Sequence, residues 1–98
     1  MEKEMLVLVK FKSGDWVFEK FMGWMQSEEG MGVRKSIADV EKTVPGVAPD
    51  KGHVLFKISV HNEEGMKEFV SGNNPIAKPI YDEYIEIIQV WELSPVEL

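Results

Sequence analysis

A stretch of strict alternation, VLFKISVH at residues 54–61, sets the strongest limit on the fold of this chain. One set of positions is wholly apolar, and the other mixes apolar, charged and polar residues. The apolar set is Val54, Phe56, Ile58 and Val60, and the mixed set is Leu55, Lys57, Ser59 and His61. A period of two indicates a β-strand, because successive side chains of a strand point to opposite faces. We therefore predict a central strand with one face under a hydrophobic cover and a second, half-polar face.

The first half of the chain contains a second stretch of this kind, then a helical pattern and a turn-rich segment. Residues 4–12 repeat the two-faced alternation and predict strand 1. Apolar residues then recur at helical spacing, which predicts helix 1 over about residues 15–28 with its end at Gly30. Residues 33–43 are rich in β-branched and charged residues, so we assign strand 2 there. The Pro and Gly turn signals of residues 44–52 predict a long hairpin connection.

The second half of the chain predicts a helix in two pieces and a last strand. Asn62 is a good cap for a helix over residues 63–71, which ends at Gly72. A second helical piece begins at Asn74, where a proline follows in a position suited to the first turn of a helix. Residues 85–93 predict strand 4. The predicted order is therefore strand, helix, strand, strand, helix, strand.

This order predicts a single domain of α+β class over residues 1–98. A chain of this length builds about one layer of helices on one sheet. With right-handed crossovers, the order gives a ferredoxin-like βαββαβ fold with a four-stranded antiparallel sheet. The spatial order of the strands is then 4-1-3-2, with both helices on one face. The other face of the sheet has no cover within the chain.

Several segments of the sequence resemble the dimeric α/β-barrel superfamily of ferredoxin-like domains. The resemblance rests on the element order, the two-piece second helix in SGNNPIAKPIYDEY and the run IEIIQVWEL. It covers nearly the whole chain as a pattern, without a diagnostic motif. Members of this superfamily include stress-responsive barrel proteins and antibiotic-biosynthesis-type monooxygenases. The resemblance implies a homodimer in which two sheets pair face to face and enclose a ligand cavity.

The charge and residue types of the chain exclude several classes of function. The net charge is -6 and Arg34 is the single arginine, whereas binding to a phosphate backbone depends on clustered Lys and Arg. Because the sequence has no cysteine, disulfides, zinc fingers and thiol catalysis are excluded. The longest apolar run, residues 5–9, is too short to span a bilayer, and the acidic start MEKE is unlike a signal peptide. We expect a cytoplasmic protein without a nucleic-acid or membrane partner.

The two histidines do not form a metal site within one chain. His53 and His61 lie eight residues apart on the predicted central strand, which separates them by about 26 Å. The sequence also has no P-loop, GxSxG or HExxH motif. We therefore predict no metal and no cofactor, and the sequence identifies no catalytic residue.

The candidate ligand-binding residues lie on the predicted face away from the helices. Gln89 and Trp91 are assigned to that face, because burying an unpaired amide beneath the helices costs about 1 to 3 kcal/mol. If a second copy covers this face, its lysines favour a small anionic or carbonyl-bearing ligand. The candidate set is Lys10, Lys57, Ser59, His61, Gln89 and Trp91.

The sequence is compatible with two functions. The first is a small-molecule-binding or stress-response module that works as a homodimer, because the apolar residues of the uncovered face form a patch larger than monomers usually expose. The alternative is a cofactor-independent monooxygenase-like or isomerase-like enzyme acting on a small aromatic or carbonyl substrate. The resembling monooxygenases use Asn, Trp, Arg or His near the cavity, and this chain offers Trp91, Asn73, Asn74 and Arg34.

Overall fold

The computed structural model describes residues 2–97 as a small α+β fold with a four-stranded antiparallel open sheet and four helices. The strands are β1 (Lys3–Phe11), β2 (Val44–Val47), β3 (His53–Val60) and β4 (Ile85–Glu92). The helices are α1 (Val17–Gln26), α2 (Glu28–Ile37), α3 (Glu63–Val70) and α4 (Lys78–Tyr84), and a short 3₁₀ turn spans Val40–Lys42. None of the helices in this part of the chain is long and apolar enough to cross a membrane.

The strand order of the sheet is β2-β3-β1-β4, which reads 4-1-3-2 from the opposite edge. Strand β1 pairs antiparallel with β3 on one side and with β4 on the other. Val7 of β1 stands opposite Phe56 of β3 and Val90 of β4. The two stretches with the clearest alternation are thus the two central strands, β3 and β1. Each of them pairs with another strand along both of its edges.

The core lies between one face of the sheet and the helices. Val7 and Val9 of β1 and Val54 of β3 are buried there, together with Phe21 of α1 and Val33 of α2. The apolar positions of both central strands therefore face the helices, as their alternation predicted. Burial of these side chains supplies most of the hydrophobic stabilisation, at about 25 cal/mol for each Å² of apolar surface removed from water.

The prediction of strand 2 over residues 33–43 is wrong, because α2 continues through Ile37. Ser27 separates α1 from α2, and its Oγ accepts a hydrogen bond from the backbone N–H of Gly30 at 3.1 Å. Gly30, Val33 and Ile37 are buried at helical spacing, and this periodicity decides the structure despite the β-branched residues. Gly30 therefore lies inside a helix instead of ending one.

Gly30 is required where α1 and α2 meet. A Cβ atom at this position would collide with the backbone carbonyl oxygen of Trp24 in α1. The sequence pattern indicates a helix end at Gly30 because glycine commonly ends helices. Glycine is also found where two backbones approach closely, and this is its role at position 30.

The predicted hairpin connection over residues 44–52 is also corrected in its first half, which forms β2. This strand is a short sheet edge in which Val44 pairs with Lys57 and Val47 pairs with Val54. Its Pro45 is compatible with an edge strand, because one side of such a strand needs no ladder hydrogen bonds. The remaining connection turns at Asp50, whose Oδ1 accepts a hydrogen bond from the Gly52 N–H at 2.8 Å.

The second helical region is divided into two helices, as predicted, although α4 begins at Lys78 and not at Asn74. Oδ1 of Asn62 accepts a hydrogen bond from the Gly65 N–H at 3.0 Å and caps α3. Gly72 follows this helix with a φ of 78°, a conformation that glycine adopts without strain. Oδ1 of Asn74 then accepts hydrogen bonds from the backbone N–H groups of residues 76 and 77, ahead of α4. These side chains satisfy backbone donors at the breaks between the elements.

Candidate functional site

The sheet face away from the helices, here called the open face, carries an exposed apolar centre. The strand register places Leu8 opposite Leu55 and Gln89, and it places Leu6 opposite Lys57 and Trp91. Leu55 and Trp91 remain 38% and 46% exposed. The apolar centre consists of Leu6, Leu8, Leu55, Ile87 and Trp91. The open face therefore presents large apolar side chains to solvent in the single chain.

The two lysines of the candidate set lie at the borders of this centre, each beside a carboxylate. Nζ of Lys10 lies 3.5 Å from a carboxylate oxygen of Glu86, and Nζ of Lys57 lies 3.6 Å from one of Glu4. All four side chains are about half exposed. Exposed pairs of this kind contribute about 0 to 1 kcal/mol, but they do balance the lysine charges. The open face of one chain is therefore not a strongly cationic surface.

Ser59 belongs to a hydrogen-bonded group at one end of the sheet. Its side chain is buried, and its Oγ donates to Oε2 of Glu2 at 2.6 Å. The same carboxylate oxygen lies 2.9 Å from Nζ of Lys42, in the 3₁₀ turn. The hydrogen bond from Ser59, followed by that from Lys42, holds the pKa of Glu2 below its usual range. Ser59 thus connects β3 and the 3₁₀ turn through Glu2, the residue that precedes β1.

His61 lies just beyond the end of β3 and contacts α2. Its Nε2 is 2.9 Å from the backbone carbonyl oxygen of Lys35, and its backbone N–H donates to the carbonyl of Ile37. These contacts position the imidazole against the end of α2, near the end of the sheet where Val60 pairs with Lys3. Lys10 lies at the opposite end of the sheet, where it pairs with His53. The structure therefore does not bring His61 and Lys10 into one cluster within a chain.

A cavity that the sequence did not predict lies on the other side of the sheet, beneath the helices. Its volume is about 70 Å³, and it is partly open to solvent. The strands contribute Val7, Val9, Phe56 and Ile58, and the helices contribute Phe21, Met25, Val33, Ile37, Met66 and Phe69. Val40 and Thr43 also line it, so the cavity extends to the segment that joins α2 to β2. None of the six candidate residues from the sequence lines this cavity.

Arg34 is the one charged residue among the described residues that line the cavity. Its side chain is half-buried, and its Nη1 donates to the backbone carbonyl of Met25 at 3.2 Å and contacts Sδ of Met31 at 3.1 Å. Burial lowers the pKa of the Arg34 guanidinium, because partial loss of water disfavours its charge. The group nevertheless stays protonated at neutral pH. The cavity therefore has an apolar interior and one cation beside it.

Sequence reasoning missed this cavity because it depends on α2. When residues 33–43 are assigned to a strand, Val33, Arg34 and Ile37 do not fall on one side of a helix. The signal that could have found α2 is the spacing of Gly30, Val33 and Ile37, which follows the helical period across a run of mixed residues. The cavity itself comes from packing between two strands, three helices and the 3₁₀ turn, which no local pattern encodes.

The residue types used by the resembling monooxygenases do not meet within one chain. Trp91 lies on the open face and Arg34 lines the cavity beneath the helices, so the sheet separates them. The Asn74 side chain is engaged with backbone donors, and Asn73 donates to Oγ of Ser71 at 3.0 Å. Residues 2–97 also contain no group of three or more His, Cys, Asp or Glu that could hold a metal ion.

Comparison with protein-family models, with curated proteins and with solved structures finds no match to this chain. The resemblance to the dimeric α/β-barrel superfamily therefore stays a prediction.

Proposed function

We propose that this chain is a small-molecule-binding module whose ligand occupies the cavity between the sheet and the helices. The observation that supports this proposal is the cavity itself, an apolar space in an otherwise packed core. Protein interiors normally contain few voids larger than a water molecule. Ligand sites are typically concave and mostly apolar, with a few polar groups that fix orientation. The cavity with Arg34 beside it fits that description.

The volume of the cavity limits the size of the ligand. An apolar cavity of about 150 Å³ holds one benzene molecule. The present cavity of about 70 Å³ is about half that size, so it accommodates a short aliphatic group. The rest of such a ligand would lie at the open side of the cavity. A short aliphatic molecule with one polar end is the class that this shape favours.

We prefer this cavity to the site predicted on the open face. A ligand between two paired sheets would have to compete with Glu4 and Glu86 for Lys57 and Lys10. An anionic ligand gains less from a lysine that already has a carboxylate neighbour. The open face, with its apolar centre, is better suited to a second copy of the chain than to a small anion.

We also propose that the chain forms a homodimer through the open face and that its fold is a ferredoxin-like, dimeric α/β-barrel one. The element order supports the fold if the α1–α2 pair and the α3–α4 pair each replace one helix of the βαββαβ pattern. Each border of the apolar centre carries one lysine and one glutamate. A two-fold axis could therefore place charges of opposite sign across the interface. A stress-response role for such a dimer stays a prediction.

Titration of the protein with short-chain aliphatic acids, amides and alcohols tests the binding function, with methyl NMR as the readout. We expect at least one of these classes to shift the methyl signals of Val7, Val9 and Ile37, which line the cavity. Saturable shifts at these methyl groups would place the ligand in the cavity. The absence of shifts with all three classes would contradict the proposal.

The substitution Val33→Ile provides the matching variant, because it adds one methylene to a side chain that lines the cavity. We expect weaker ligand binding together with unchanged or slightly higher stability, by up to about 0.8 kcal/mol for the added buried group. In a packed core the same change typically costs about 1 to 3 kcal/mol. Val90→Ile is the control, because Val90 packs against the core without lining the cavity. Equal effects of the two substitutions on binding would contradict the proposal.

A further inference from the structure

We infer that the ligand of the cavity carries a carboxylate group that is bound by Arg34. This inference rests on the proposed function and names the chemical class of the ligand. It combines an apolar cavity of about 70 Å³ with a guanidinium that has unused hydrogen-bond donors beside it. A short aliphatic carboxylate matches both parts of this site.

The hydrogen bonds of Arg34 leave one edge of its guanidinium available. An arginine side chain has five N–H donors in a fixed planar arrangement. In the structure Nη1 interacts with the carbonyl of Met25 and with Sδ of Met31. Within residues 2–97, Nε and Nη2 of Arg34 donate to no acceptor. These two nitrogens form the edge that binds a carboxylate through two parallel hydrogen bonds.

The charge of Arg34 is also not balanced by the described part of the chain. No carboxylate of residues 2–97 forms an ion pair with it, although the sequence has 17 acidic residues. Several exposed lysines, among them Lys3, Lys10 and Lys42, do have carboxylate partners. Because Arg34 is half-buried, an anion beside it is screened less by water than it would be beside a fully exposed cation. An anionic ligand group would compensate the partial loss of water at Arg34.

The surroundings favour a single carboxylate over a larger anion. One guanidinium supplies two parallel donors, which match the two oxygens of a carboxylate. A phosphate monoester carries more charge and needs several cationic or N–H partners. Arg34 is the only arginine of the chain, and the net charge of -6 opposes a multiply charged ligand. The apolar lining selects an aliphatic tail on the same molecule.

The test compares isovalerate with isovaleramide, which have the same branched tail but differ in charge. Binding is measured at neutral pH, where isovalerate is ionised, by methyl NMR of Val7, Val9 and Ile37. We expect isovalerate to bind about tenfold to a hundredfold more tightly, the usual effect of a charge-assisted hydrogen-bonded pair. Equal or tighter binding of isovaleramide would overturn the inference and leave the binding function intact. If isovalerate, isovaleramide and a neutral alcohol all fail to bind, the proposed function itself is wrong.

Variants of α2 assign the preference to Arg34. Arg34→Met should abolish the difference between isovalerate and isovaleramide, and Arg34→Lys should keep part of it, because lysine keeps the charge without the paired donors. Lys35→Met is the matched control, since Lys35 is an exposed neighbour in the same helix. It should keep the full preference after correction for its effect on net charge. A preference for isovalerate that persists in a folded Arg34→Met variant would overturn the inference, and the comparison of the two ligands on the unaltered protein decides it if that variant does not fold.

Discussion

Two glycines of α2 that look alike in the sequence have different roles in the structure. A Cβ at Gly30 would collide with the Trp24 carbonyl, whereas a Cβ at Gly32 meets nothing within 4 Å. Both residues lie in the same helix, so alanine gains the same intrinsic helix propensity at either position. The difference between the stability effects of alanine at the two positions therefore measures the cost of placing one methyl group between α1 and α2.

We predict opposite effects of alanine at these two positions. Gly30→Ala should destabilise the protein by about 1 to 3 kcal/mol, because the helices must move apart. Gly32→Ala should stabilise it by about 0.5 to 1 kcal/mol through helix propensity alone. Urea unfolding of both variants measures these free energies. A Gly30→Ala variant as stable as Gly32→Ala would contradict the close contact between α1 and α2.

At the scale of elements, the sequence pattern correctly predicted the strands and helix breaks that are determined by neighbouring residues. The central strands were found because their alternation matches burial on one side, and the break before α4 was found because Asn74 caps its own neighbours. The end of α1 and the start of β2 were not found. The end of α1 follows from local hydrogen bonds around Ser27, a capping signal that the prediction of one continuous helix overlooked. The start of β2 depends on a contact with a distant residue, Val44 against Lys57. The cavity could not be predicted for the same reason.

The group formed by Glu2, Ser59 and Lys42 joins the residue before β1 to β3 and the 3₁₀ turn. It predicts a dependence of stability on pH. The pKa of Glu2 is lowered in the folded chain, first by the hydrogen bond from Ser59 and then by that from Lys42. A carboxyl group of this kind stabilises the fold above its unfolded pKa, and the contribution is lost as the pH falls through the lower, folded pKa. Stability should therefore decrease as the pH falls below about 4.5.

Ser59→Ala should make the loss of stability at acid pH smaller, because it removes the largest cause of the lowered pKa of Glu2. The measurement is the urea midpoint at pH values above and below 4.5, the ordinary pKa of this carboxyl group. Ser71→Ala is the control, since Oγ of Ser71 donates to a backbone carbonyl and not to a side-chain carboxylate. An unchanged pH dependence in Ser59→Ala would show that the hydrogen bond to Glu2 does not contribute.

At the scale of the whole molecule, the proposed pairing of two copies through the open face can be tested with two tryptophans. Trp91 lies in its apolar centre, whereas Trp16 is an exposed tryptophan at the start of α1, with 70% of its surface accessible. The two residues thus allow the same substitution on the open face and outside it. We predict that Trp91→Lys yields a monomer at micromolar concentration, because the added charge would be buried against the second copy.

Trp16→Lys should leave the proposed dimer intact, since Trp16 is not part of the open face. Sedimentation velocity measures the mass of each variant against the chain mass of 11.2 kDa. Circular dichroism confirms that the fold is retained. A monomeric unaltered protein, or equal association of the two variants, would rule out pairing through the open face.

The junction between α1 and α2 has a consequence for how fast a ligand leaves. One residue, Ser27, separates these helices, and the absence of a side chain at Gly30 lets their backbones touch. The pair therefore resists separation, and an exit route between them requires breaking that contact. The segment around Val40 and Thr43 borders the same cavity, and it is held by the ion pair of Lys42 with Glu2 and by the hydrogen bond from the Asp39 N–H to the Ser59 carbonyl. Residence time would then depend on how readily these contacts of the short turn open, while the chemical selectivity stays with the helix that holds Arg34.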